Sequence, residues 1–179
     1  MEKIAVIGIG NILFKDEGVG VYAAKYLKEN FSFSPSIEIV DGGTLGFKLM
    51  GYYQTYDKVI ILDTVSIEDE PGSVYNLPSE VLMGLGSYRK TAHEVEVLEM
   101  LEICSMLDKM AKVNVIGIVP KDIESVKIDL SEEMKRNFLS LVNEAVKEIE
   151  RAGIEVREKS KTSLEDIIEN YNNPSMKNL

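Results

Sequence analysis

The sequence contains one cysteine, one histidine and no tryptophan in 179 residues, and it lacks a long apolar run. With Cys104 alone, neither an internal disulfide nor a cysteine-based metal knot can form. Cys104 falls in an apolar-periodic stretch and reads as a small core residue rather than a nucleophile. No stretch approaches the roughly 18 apolar residues of a membrane span. The first apolar run covers only residues 4–7 and ends at Gly8, unlike a signal peptide. Basic residues are in deficit, 20 against 30 acids, for a net charge of -10. Such a surface repels nucleic acid and anionic membrane, so neither is an expected partner. A cytoplasmic protein is the resulting expectation.

The chain is long enough to bury a core unaided. Residues 4–7 (IAVI), 59–62 (VIIL) and 115–119 (VIGIV) are short continuous apolar runs, and 37–40 (IEIV) is a less pure fourth. Runs without alternation fit strands covered on both faces, as in a parallel sheet. Helical spacing lies between them, at Val19, Tyr22, Ala23, Tyr26 and Leu27, and again at Val97, Leu98, Leu101 and Cys104. The clearest stripe is Met134, Phe138, Leu141, Val142, Ala145 and Ile149, with Ser131 as N-cap and Gly153 just past the end. A shorter helix is expected over 45–53, a turn at 70–73 and an edge strand over 74–77. The alternation predicts an α/β fold: a three-layer α/β/α sandwich around a twisted, mostly parallel sheet of about five strands. One domain is expected over 1–157. Residues 158–179, dominated by Lys, Ser and Asn, read as a mobile tail in which only 164–168 has helical character.

The glycines at the end of the first run suggest a dinucleotide turn, but the third glycine of G-x-G-x-x-G is replaced by Leu13. The helical period starts only near Val19, and Asp16 and Glu17 stand where a phosphate needs positive potential. A plainer reading makes Asp16 a helix N-cap and Glu17 a favourable charge at a helix start. Asp63 directly follows a strand, at the edge where open α/β sheets build their sites. His93 lies in a capping-box pattern, Thr91 to Glu94, so it belongs to a first helical turn, where the dipole favours the neutral, metal-binding imidazole. Two carboxylates and one imidazole, from Glu17, Asp63 and His93, suit zinc, nickel, manganese or iron alike. No G-x-S-x-G elbow accompanies the histidine.

These residues, taken in order, resemble the maturation endopeptidases of [NiFe]-hydrogenases. GIGNILFKDEGVGV is similar to the family's G-x-G-N…D-[ED]-G-x-G opening and VDGGTLG to its D-G-G-T stretch. DKVIILDTV matches its aspartate-terminated strand, AHE its histidine helix and VIGIVP its last strand and proline. Val119 stands where the family pattern often has Gln, and the segment after His93 lacks a glycine seen in many relatives. The resemblance implies removal of a C-terminal extension from the hydrogenase large-subunit precursor after nickel insertion. Glu17, Asp63 and His93 take the catalytic and metal-contacting positions, and Asp41, with Gly42 and Asn11, the substrate-binding ones. The metal implied is nickel supplied by the substrate and not held tightly by the resting enzyme. The partner is the nickel-loaded precursor. Asp16 or one of the three ligands remains open as general base. A non-catalytic nickel-checking module and a metallohydrolase with its own zinc are the alternatives.

Overall fold

The three purest apolar runs become the three central strands of one sheet. The computed structural model describes residues 1–44, 46–84, 99, 102, 106 and 110–174. In chain order these form β1 (Ile4–Ile9), α1 (Val19–Asn30), β2 (Phe31–Ser34), β3 (Glu38–Gly43), α2 (Met50–Thr55), β4 (Lys58–Thr64) and β5 (Val74–Pro78). There follow α3 (Ser79–Gly84), β6 (Lys112–Ile118), α4 (Glu132–Arg151), β7 (Glu155–Glu158) and α5 (Leu164–Asn172). Among the described residues the main sheet has five strands in the order β3-β1-β4-β6-β5. β3, β1, β4 and β6 are parallel, and β5 adds an antiparallel edge. The expected edge strand over 74–77 is therefore present, and it makes the sheet mixed.

Burial explains why the runs look as they do. Every residue of β1 is buried, as is every residue of β4 after Lys58. β3, whose apolar pattern is diluted by Glu38 and Asp41, lies at the edge with both of those residues exposed. The sheet separates two apolar cores. One packs Ile4, Val6, Ile60 and Leu62 against α1, α4 and α5; the other packs Ile7, Val59 and Ile61 against Leu49 and Tyr53. The strongest predicted stripe is α4, with Met134, Phe138, Leu141, Val142, Ala145 and Ile149 all buried. Ser131 occupies its N-cap, and Gly153 takes a positive φ of 89° just past its end. The shorter helix resolves into a 3-10 turn (Gly46–Leu49) followed by α2. No helix among the described residues is long and apolar enough to cross a membrane. The expected helix through Val97 and Leu98 to Cys104, and the Thr91 cap, lie outside the described residues.

The C-terminal stretch, expected to have helical character only over 164–168, carries the strand β7 and the longer helix α5. β2 and β7 pair as a small antiparallel sheet, and α5 buries Leu164, Ile167 and Ile168 against the α1 side of the core. The link between them is held by one residue. Asn30, 1% exposed at the end of α1, accepts the Thr162 N–H on Oδ1 at 2.7 Å and donates Nδ2 to the Thr162 carbonyl at 3.0 Å. Its own carbonyl accepts the Lys159 N–H at 2.8 Å. Ser163 then caps α5, accepting the Asp166 N–H at 3.1 Å. A polar spacer anchored by backbone bonds thus delivers a helix with only three buried apolar residues.

Candidate active site

β1 is flanked by β3 on one side and β4 on the other, so the chain reverses direction across the sheet after β3. In open α/β sheets such a reversal leaves a crevice beyond the carboxyl ends of the two strands it separates, here β1 and β4. The loop after β1 and the end of β4 meet there.

Glycine lets them meet closely. Gly10 has a φ of 147°, and a Cβ on it would lie 1.8 Å from the Glu17 carbonyl oxygen. The chain therefore folds back over its own strand exit. A Cβ on Gly20, in the first turn of α1, would lie 2.1 Å from the Leu62 carbonyl oxygen and 2.4 Å from that of Ile9. The start of α1 therefore sits directly on both strand ends. Between the glycines, Asn11 Oδ1 accepts the Leu13 N–H at 3.0 Å, and the Asn11 carbonyl accepts the Phe14 N–H at 3.1 Å. Asn11 thus shapes its own turn. Lys15 takes a φ of 45°, a left-handed conformation costing about 1 kcal/mol for a residue with a Cβ. Its N–H donates to the Lys127 carbonyl at 3.0 Å, which helps hold it there.

The two neighbouring acids, Asp16 and Glu17, have different surroundings. Asp16 is 0% exposed and accepts four hydrogen bonds. Oδ2 takes the Lys121 N–H at 2.9 Å, the Asp122 N–H at 2.8 Å and the Ser131 hydroxyl at 2.8 Å, and Oδ1 takes the Ser131 N–H at 2.7 Å. Asp16 therefore caps no helix of its own. It closes the N-terminus of α4 from across the fold, and Ser131, at the N-cap, spends its hydroxyl on Asp16 rather than on its own helix. A carboxylate so enclosed is a clamp, which removes it from the candidates for general base. Glu17 lies in the same 3-10 turn (Lys15–Gly18) and is half-buried, and that turn packs against β4. Asp63 is 2% exposed at the end of β4, with Oδ1 accepting the Thr64 N–H at 2.7 Å. Beside it the buried Thr64 hydroxyl has no hydrogen-bond partner among the described residues. The rim is thus polar and anionic.

His93 lies outside the described residues. Among those described, no three His, Cys, Asp or Glu side chains are grouped to hold a metal. The structure packs the turn that carries Glu17 against β4, which carries Asp63, and places Asp41 two strands away on the other face from Asp63. Asp41, Gly8 and Leu62 form one row across β3, β1 and β4, which spans about 10 Å. Asp41 accordingly faces α1, while Asp63, one residue past Leu62, faces the opposite side. Asp41 Oδ1 accepts the Gly43 N–H at 3.0 Å, and the side chain lines a groove between α1 and β3. Gly42 points the other way: a Cβ there would lie 2.7 Å from Ile7 Cγ2 and 3.1 Å from the Gly8 carbonyl oxygen. Its smallness serves packing between β3, β1 and Leu49. Two contributors were not foreseen from sequence, the Ser131–Asp16 clamp and Tyr171, which lines the Asp41 groove from α5. Neither carries a local signal, since the partners lie more than 100 residues apart in the chain.

Comparison with known proteins agrees with this architecture. A family model described as HycI, hydrogenase maturation protease, matches residues 21–148, a span that includes Asp41, Asp63 and His93 but begins after Glu17 and ends before α5. The chain is 31% identical over 124 residues to the hydrogenase 2 maturation protease of Escherichia coli K12, covering 68% of this chain and 76% of that protein. It is 27% identical over 165 residues to the hydrogenase expression/formation protein HupD of Thiocapsa roseopersicina, covering 91% and 75%. The hydrogenase maturating endopeptidase HybD from E. coli superposes with a TM-score of 0.82 at 26% identity, covering 89% of this chain and 99% of that one. For the [NiFe] hydrogenase maturation protease HybD from Thermococcus kodakarensis the TM-score is 0.69 at 28% identity, covering 82% and 99%. The chain is an endopeptidase of the hydrogenase maturation protease family.

Proposed function

We propose that this protease removes the C-terminal extension of a [NiFe]-hydrogenase large-subunit precursor after nickel insertion, reading the substrate's nickel with Glu17, Asp63 and His93. The observation that carries the reading is the meeting of the Glu17 turn with the buried end of β4, bearing Asp63, at the sheet's reversal point. Two carboxylates and one imidazole without thiolate form an open, weak set, suited to meeting a metal that arrives with the substrate. Nickel so placed would polarise the scissile carbonyl or make a water more acidic. Water adds to the carbonyl carbon, the C–N bond breaks, and the leaving amine takes a proton. With Asp16 enclosed by four donors, Glu17, half-buried on the rim, is the better placed base. Asp41 contacts the peptide on the α1 side of the rim, and Asn11 and Gly42 shape the backbone around it.

The test is incubation of the purified chain with nickel-loaded and nickel-free precursor, followed by mass spectrometry of the precursor. Loss of the C-terminal extension from the loaded form alone is expected, and Glu17→Gln or His93→Ala should abolish it. Equal cleavage of both precursor forms would overturn the nickel reading. A folded sample that binds loaded precursor without cutting it would overturn the proposed reaction.

A further inference from the structure

The groove beside Asp41 is built partly by an element outside the family-matched span. Its apolar lining is Val21, Ala24 and Ile39, Lys25 and Lys28 of α1 also border it, one wall is Asp41 at the end of β3, and the other is Tyr171 from the last turn of α5. Its volume is about 160 Å³. A cavity of about 150 Å³ accommodates a benzene-sized molecule, so the groove takes a single medium side chain. Val21 lies four residues after Glu17, two steps through the 3-10 turn and two into α1, about 7 Å at roughly 2.0 and 1.5 Å per residue. An extended peptide advances about 3.3 Å per residue, so a substrate lying across Glu17 reaches the groove within a few residues.

Tyr171 is held for this position. Its ring meets that of the buried Tyr22 edge-on, with centroids 5.5 Å apart. The next residue, Asn172, donates Nδ2 to the Ile128 carbonyl at 3.0 Å, which fixes the end of the helix. Burial, with the charges of Asp41 and Glu29 behind it, pushes the phenol up to about 12, so it stays a neutral hydrogen-bond donor facing the Asp41 carboxylate. Asp41 has an exposed carboxylate in which, among the described residues, Oδ1 alone accepts a hydrogen bond.

We propose that Tyr171 is a substrate-positioning residue that, with Asp41, grips one side chain of the hydrogenase precursor a few residues from the scissile bond. That side chain has an apolar stem for the Val21, Ala24 and Ile39 lining and a hydrogen-bond-donating tip for Asp41. The proposal rests on the reading of Asp41 as a substrate contact. It implies that α5 adds to this chain a selectivity wall not contained in the segment that matches the family.

Steady-state cleavage of nickel-loaded precursor by the full chain tests it, with Tyr171→Phe, Tyr171→Ala and Asp41→Asn compared and a urea midpoint recorded for each. Tyr171→Ala should raise KM by about tenfold, as loss of a buried aromatic anchor does, with kcat of the folded protein within about twofold. Tyr171→Phe keeps the ring on Tyr22 and should raise KM by about fivefold, the worth of one hydrogen bond. An unchanged KM in both Tyr171 variants, with Asp41→Asn impaired, overturns the proposal and leaves the Asp41 reading standing. A fall in kcat that tracks lost folded protein, at constant KM, makes Tyr171 structural only and also overturns it. Full activity of Asp41→Asn removes the Asp41 reading and the proposal together.

Discussion

Replacing Asp16 by alanine separates a structural acid from a catalytic one. The substitution strands three backbone N–H groups, of Lys121, Asp122 and Ser131, and the Ser131 hydroxyl, all aimed at a site with no exposure. A hydrogen bond to a charged group contributes about 1.5–3 kcal/mol, and a stranded buried donor costs about 1–3 kcal/mol. Four such bonds share one carboxylate and are not additive, and some donors will find solvent once the turn relaxes, so a loss of about 3–5 kcal/mol is expected. That is a large fraction of the about 5–15 kcal/mol that holds a domain together. Urea unfolding followed by circular dichroism reads it as a lowered midpoint at unchanged slope. Cleavage at saturating precursor should fall only as far as folded protein and Glu17 placement are lost. A variant of near wild-type stability with abolished cleavage would refute the clamp and return Asp16 to the reacting groups.

Three further outcomes follow from the same geometry. Gly10→Ala places a Cβ 1.8 Å from the Glu17 carbonyl oxygen, so the turn must move; a loss of about 2–4 kcal/mol in urea and a collapse of cleavage are expected. Truncation after Thr162 exposes the surface covered by Leu164, Ile167 and Ile168, and three side chains at about 1.5–3 kcal/mol each should cost about 5–9 kcal/mol before the entropy regained by the freed chain, read as a lowered Tm. A truncated chain with unchanged Tm would restore the mobile tail. Glu148 supplies a pH dependence: burial acts to raise its carboxyl, yet Lys58 at 2.6 Å, Asn76 and Arg151 outweigh this and hold it at about 2. Because the folded value lies below the ordinary 4.5, the stabilisation is present above about pH 4.5 and is lost as pH falls toward 2. The gap is worth about 3 kcal/mol, and Glu148→Gln should flatten the stability profile over that window.

What the sequence made legible follows from which interactions are local. β1, β4 and β6 read as doubly covered strands because burial on both faces demands unbroken apolar residues, and α4 because a 20-residue helix repeats its buried stripe over several turns. β2 and β7, four residues each, leave no period to detect. α5 was underestimated because its anchors are the Asn30 amide and the backbone of Thr162, 132 residues away in sequence. The fates of Asp16 and Glu17 were illegible for the same reason. Two adjacent carboxylates look interchangeable until donors from residues 121, 122 and 131 select one of them. The meeting of the Glu17 turn with β4 follows from the order of the strands, whereas the separation of Asp41 and Gly42 onto opposite faces needed their register.

The clamp also bears on how the loops at this end of the sheet can change length. Surface connections usually accept insertions more readily than the strands they join. Here Asp16 couples the residues after β1 to those after β6, and a backbone bridge between Phe14 and Lys127 repeats the coupling. One residue added anywhere over 11–15 would slide the carboxylate off donors 105 to 115 positions downstream. The two connections therefore have their lengths fixed together, like the two halves of a buckle, and these surface loops are not free to grow independently.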